Sequence, residues 1–175
     1  MIAGPDGELM PVTLATLTKN YAVNGINTDE DTGFNNYLKD PKSDVTLRYN
    51  PTHGMLGDLV ESGLGKIADW TGNEDAIAMN RYVGQDLQDR KDMANSTNVF
   101  HSQGSIIGLG AIQLYANFNG NENQINQTQK FVAVVPAVLD SDWRNAVESN
   151  LHLNPKLNAD WRHDPYDPVW PFSPS

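Results

Sequence analysis

The run Phe131-Val132-Ala133-Val134-Val135-Pro136-Ala137-Val138 narrows most sharply what this chain can become. It is the most β-like stretch in the sequence, and its apolar residues do not alternate with polar ones. A strand of that kind is covered on both faces, which is the situation of a central strand in a parallel sheet. Parallel neighbours need crossover connections, usually helical. The rest of the chain supplies both. Tyr21-Ala22-Val23 reads as a strand, and so does Asp44 to Tyr49, where Val45, Leu47 and Tyr49 alternate. Met55, Leu56, Leu59, Val60, Leu64, Ile67 and Ala68 recur at helical spacing and predict a helix over Met55 to Trp70. Ala76, Met79, Val83 and Leu87 predict another from about Glu74 to Met93, capped by Asn73. Further helices are expected over Ser105 to Ala116 and Trp143 to Asn150, with a loop over Asn117 to Gln129 between them. Leu9 to Leu17 reads as an edge hairpin or strand, since Pro11 excludes a central position. The order is that of an α/β fold with a mostly parallel central sheet flanked by helices. Its 175 residues suit one domain, 1–175, with a linker over 1–8.

One junction carries chemistry. Asn98-Val99-Phe100-His101 is a short strand-like segment, Ser102 follows it, and Gly104 and Ser105 lead into the apolar run Ile106-Ile107-Gly108-Leu109. A strand that turns sharply into a helix with a serine at the apex is the layout of a nucleophile elbow. The turn lifts the Ser102 hydroxyl to where a base can reach it. It also aims the N–H of Gln103 at the oxygen of a bound acyl group. Gly104 lets the helix pack close to the turn. The usual motif is G-x-S-x-G, and Phe100 stands where its first glycine would be, so crowding of the turn is expected there.

Charge and composition remove other classes of function. The chain has 22 Asp and Glu against 12 Lys and Arg, a net charge of −10. Nucleic acid is not the expected substrate, because phosphate binding needs clustered Lys and Arg. An acidic surface also disfavours adsorption to anionic lipid, and suits a partner with a basic face. There is no cysteine, hence no disulfide framework and no thiolate metal site. No stretch approaches the roughly 18 consecutive apolar residues of a membrane span. The acidic run from Asn27 to Gly33 lacks the glycine and the glutamate that a calcium loop needs at its sixth and twelfth positions. It reads as a solvated loop, and no metal is expected.

His101-Ser102-Gln103-Gly104 closely resembles the elbow of α/β-hydrolase-like lipases and esterases. Four stretches in order extend the resemblance over most of the chain: Val23-Asn24-Gly25, Asn50-Pro51-Thr52-His53-Gly54, the elbow itself, and Asp167-Pro168-Val169. As a set they resemble the C-terminal hydrolase domains of bacterial filamentous-haemagglutinin-type adhesins and contact-dependent growth inhibition toxins. The resemblance implies a reduced α/β-hydrolase-like fold and a serine hydrolase acting on a lipid or other ester, with no cofactor. It implies that Val23-Asn24-Gly25-Ile26 is the oxyanion loop, with Asn24 where His is usual and the Ile26 N–H as second donor. It implies that Asp167 is the acid. It further implies a toxin module of a larger secreted or surface protein, delivered into target bacteria and neutralised by a cognate immunity protein. His53 is expected to fasten the turn after its strand.

The histidine is less determined. In this fold the chain order is serine, acid, histidine. No histidine follows Asp167. Three readings stand: the histidine lies beyond this sequence, His163 serves with Asp140 or Asp142 as its acid, or the site is degenerate. His163 is the best base available, since His101 adjoins the nucleophile and is expected to point away from it. A degenerate site would leave a binding or adhesin-terminal domain on a hydrolase scaffold.

Overall fold

The computed structural model describes residues 2–3, 9–10, 18–24, 44–48, 74–119, 124–134 and 137–162. A small antiparallel pair joins β1 (Ile2–Ala3) to β2 (Leu9–Met10). The hairpin thus starts earlier than the alternation from Leu9 suggests, and 11–17 lies outside the described residues. The main sheet has five strands: β3 (Asn20–Val23), β4 (Val45–Arg48), β5 (Thr97–His101), β6 (Lys130–Val134) and β7 (Ala159–Arg162). Their order across the sheet is β4-β3-β5-β6-β7, and every neighbouring pair is parallel. Among the described residues the helices are α1 (Glu74–Asp89), α2 (Gly104–Asn119), α3 (Asp140–Leu151) and α4 (Pro155–Asn158). The fold class is therefore α/β with a parallel sheet, as the sequence predicts.

The strands bury both faces. Tyr21, Val23, Phe100, Phe131 and Ala133 form one cluster with Val83 and Leu87 of α1, Ile107, Ala111 and Ile112 of α2, and Trp143 and Val147 of α3. Helix α1 packs on α2, and α2 packs on α3, so the three make one layer. Ala22, Leu47 and Val132, which alternate to the opposite face, are buried too but stand outside that cluster. β6 is flanked by β5 and β7, the central position its continuous apolarity predicts. Phe100 anchors the helical side. Its ring meets Trp143 edge-on at 5.3 Å and Tyr21 at 6.4 Å between centroids. All three rings are buried, each contributing of order 1.5–3 kcal/mol.

Several boundaries move from their predicted places. α1 ends at Asp89, four residues short of Met93, because the chain turns there to bury Arg90. The Arg90 guanidinium donates to the carbonyls of Thr18 and Lys19 and, at 2.8 Å, to Ser96 Oγ, with Tyr21 under it at 5.2 Å. Arg90 thereby ties the start of β3 to the turn before β5. α2 runs to Asn119, past Ala116 into the expected loop, and α3 starts at Asp140 rather than Trp143. The sequence pattern predicts no strand at β7. Ala159-Asp160-Trp161-Arg162 has no strand-like run of its own. It is held by Asn158, whose Nδ2 donates to the Gln127 and Gln129 carbonyls at 2.8 and 2.7 Å, and by Arg144, which donates to the Pro155 and Ala159 carbonyls. The helix predicted over Met55 to Trp70 lies outside the described residues. Among the described residues no helix is long and apolar enough to cross a membrane.

Candidate active site

In a parallel sheet all strand C-termini lie along one edge. From β3 the chain moves one way to β4, then returns past β3 to β5 and continues in that direction to β6 and β7. The reversal falls between β3 and β5. Open α/β sheets bind ligands in the crevice outside the strand ends at such a point. Here those two ends carry Asn24 and Ser102.

Ser102 has φ 53°, in the left-handed region. Among the described residues two other non-glycines share it. Asn95 belongs to a residue type that tolerates this conformation, and His152 is the left-handed C-cap of α3. Ser102 has neither excuse: it is the single residue that turns β5 into α2 within two positions. A Cβ in this region costs about 1–2 kcal/mol, and such strain persists only where surrounding structure over-determines it. The bonds that do so are visible. The Ser102 N–H donates to the Val134 carbonyl at 2.9 Å, extending the β5–β6 ladder by one residue. The Ser102 carbonyl accepts from the Ser105 N–H at 2.9 Å and from Ser105 Oγ at 2.5 Å. The Ile106 N–H then donates to the Gln103 carbonyl at 3.0 Å and the helix is under way.

Gly104 brings the elbow against β3. A Cβ there would stand 2.6 Å from the Val23 carbonyl oxygen and 2.9 Å from that of Asn24. The close approach that Gly104 permits is to the backbone at the end of β3, rather than to the turn itself. The crowding expected from Phe100 does not occur. Its ring occupies the space a side chain on Gly108 would fill, a Cβ there being 2.4 Å from Phe100 Cδ1. A glycine one helical turn after Gly104 accommodates the bulk that replaces the usual first glycine of the motif.

Gln103 is buried behind Ser102 at the start of α2, whose first turn holds no acidic residue. The positive dipole end of a helix favours a developing negative charge at this place. His101 is half-buried and alternates to the face opposite Phe100. Ile26, His53, His163 and Asp167 lie outside the described residues. Of the alternative acids, Asp140 is engaged: Arg144 Nε donates to its Oδ1 at 2.7 Å, inside the strut that holds β7. Asp142 is exposed on the first turn of α3. The structure thus brings together Ser102, Gln103 and the end of β3. It adds the Val134 carbonyl, which lies outside the stretch from which the elbow is read, and it gives Ser105 and Gly108 contacts that the sequence does not show.

A second polar cluster lies between β3, β4 and α1. Arg48 Nε and Nη2 donate to Asp86 Oδ2 and Oδ1 at 2.8 and 2.6 Å, and the Tyr21 hydroxyl donates to Oδ2 at 2.6 Å. Burial, then the adjacent Asp86 carboxylate, raises the Tyr21 phenol well above its usual range. Burial works against the Arg48 charge, but the Asp86 carboxylate outweighs it and the net shift is upward. This cluster clamps strand to helix. Among the described residues no group of three His, Asp or Glu side chains is placed to hold a metal. Comparison with protein-family models, curated proteins and solved structures found no match.

Proposed function

We propose that the chain is a serine hydrolase in which Ser102 Oγ attacks an ester carbonyl. The observation that carries the reading is the left-handed backbone of Ser102 at the corner between β5 and α2, beside the point where the strand order reverses. Attack forms the Oγ–C bond and moves charge onto the carbonyl oxygen. The Gln103 N–H, with Ile26 as second donor, stabilises that oxyanion. His163 takes the serine proton and returns it to the leaving alkoxide. The acid that orients and stabilises the protonated imidazole is Asp167 by the resemblance, with Asp142 as the alternative. Water then hydrolyses the acyl-enzyme by the same route. The resemblance in the sequence extends the proposal to a lipase- or phospholipase-like toxin module of a larger bacterial protein, secreted or surface-bound and delivered into target bacteria, with a cognate immunity protein as partner.

The test is covalent labelling with a fluorophosphonate probe, followed by peptide mapping. The expected result is one adduct, on Ser102, absent in Ser102→Ala, with both proteins showing the same circular dichroism spectrum. A folded wild-type chain that takes no label overturns the hydrolase reading. It leaves a non-catalytic binding domain on this scaffold as the better account.

A further inference from the structure

We infer that Ser105 is the positioning residue of the oxyanion donor at Gln103, a role that rests on the hydrolase reading above. The Ser105 side chain is fully buried and makes two bonds in opposite directions. Its Oγ donates to the Ser102 carbonyl at 2.5 Å and accepts from the Ala137 N–H at 2.9 Å. The Ser105 N–H also donates to that carbonyl, as the first turn of any helix would provide. The hydroxyl supplies what the helix does not: a lateral tie from the elbow to the chain leaving β6. The Ser102 N–H is tied to the same part of the molecule through the Val134 carbonyl. Both ends of Ser102 are thus pinned to the β6 exit.

The consequence for Gln103 follows from peptide planarity. The Ser102 carbonyl and the Gln103 N–H belong to one rigid trans peptide unit and point in opposite directions. Two donors from Ser105 hold the carbonyl inward, so the N–H is held outward. A donor already aimed costs no reorganisation when charge develops on the substrate oxygen. Freed of the hydroxyl, the peptide plane keeps one bond and can rock about it. An active-site displacement on the scale of 1 Å can lower the rate by about 10².

The experiment compares full-length wild type, Ser105→Ala and Ser105→Thr. It measures the fluorophosphonate labelling rate and the kcat and KM for p-nitrophenyl acetate. Ser105→Ala should lower the labelling rate and kcat about tenfold, less than the 10²–10³ of losing a donor outright, with KM within about twofold of wild type. Ser105→Thr, which keeps the hydroxyl, should recover most of the loss. Ile112→Val, a buried change on the same helix, controls for destabilisation and should leave kcat unchanged. If Ser105→Ala does not fold, Ser105→Cys keeps a similar volume with a weaker donor and acceptor, and it should show the same kcat loss. A labelled wild type whose folded Ser105 variants react at the wild-type rate, or lose no more than Ile112→Val at equal loss of Tm, overturns the positioning role alone. A wild type that takes no label overturns the hydrolase reading and this inference with it.

Discussion

The contact between Phe100 and Gly108 can be tested by a double-mutant cycle whose sign is set by geometry. An alanine Cβ at position 108 would stand 2.4 Å from Phe100 Cδ1 and 2.8 Å from two further ring atoms. Ordinary carbon–carbon contact begins near roughly 3.5 Å, so the ring would have to retreat by about 1 Å. It has little room to do so, because Trp143 and Tyr21 lie against it and all three are buried. Overpacking of this kind costs about 1–3 kcal/mol, against which Gly→Ala in a helix gains about 1 kcal/mol. A ring displacement of about 1 Å puts the cost in the upper part of that range, about 2–3 kcal/mol, so Gly108→Ala should destabilise the fold by about 1–2 kcal/mol, although helix propensity alone would make it stabilising. Phe100→Leu shortens the side chain and leaves a cavity, costing about 1–2 kcal/mol by itself. In the double variant the added methyl has the vacated space. Its loss should fall short of the sum of the singles by at least about 1 kcal/mol. Urea unfolding followed by circular dichroism measures all four proteins. A Gly108→Ala variant as stable as wild type, or additivity within about 0.5 kcal/mol, would refute the account of how Phe100 replaces the motif's glycine.

Three further outcomes are expected. Ser102→Gly removes the Cβ that opposes φ 53°, and should abolish labelling while raising stability by about 0.5–1 kcal/mol; a loss of stability would mean that Ser102 stores no strain. Gly104→Ala drives a Cβ into the Val23 and Asn24 carbonyls and should lower the labelling rate about 10²-fold or more by pushing the elbow off β3; a folded variant labelled at the wild-type rate would count against that packing. Tyr21 stays protonated in the folded chain above pH 10, its usual pKa, while the unfolded chain ionises there, so the unfolded state binds fewer protons and its stabilising contribution, whole below pH 10, is lost as pH rises toward the folded pKa. Tyr115, pushed up to about 12 by burial and then by Asp92, acts in the same window. Unfolding midpoints between pH 9 and 11.5 should fall less steeply in Tyr21→Phe than in wild type, and identical slopes would be the contrary result.

The sequence by itself determined those parts of the molecule whose signal is local. Val45 and Leu47 alternate, Phe131 to Val134 is apolar throughout, and the strand-serine-glycine-helix junction at Ser102 is contiguous, so β4, β6 and the elbow follow from runs of neighbouring residues. The α/β class follows from the same runs, because a strand covered on both faces needs parallel partners and crossovers. Tertiary structure decided the rest. Parallel strands of similar pattern do not announce who pairs with whom. The order β4-β3-β5-β6-β7, and with it the point between the ends of β3 and β5 where the order reverses, exists only once the crossovers are laid down. β7 forms because β6 offers an unpaired edge and Asn158 and Arg144 hold the segment against it, a strand made by its surroundings rather than by its propensity. Phe100 looked like an obstacle in the motif. It is not one, because Gly108, eight residues on, meets its ring only after the helix folds back over the strand. The left-handed turn at Ser102 is likewise a collective property. No serine prefers it, and bonds to Val134 and Ser105, closed only in the folded chain, hold it there.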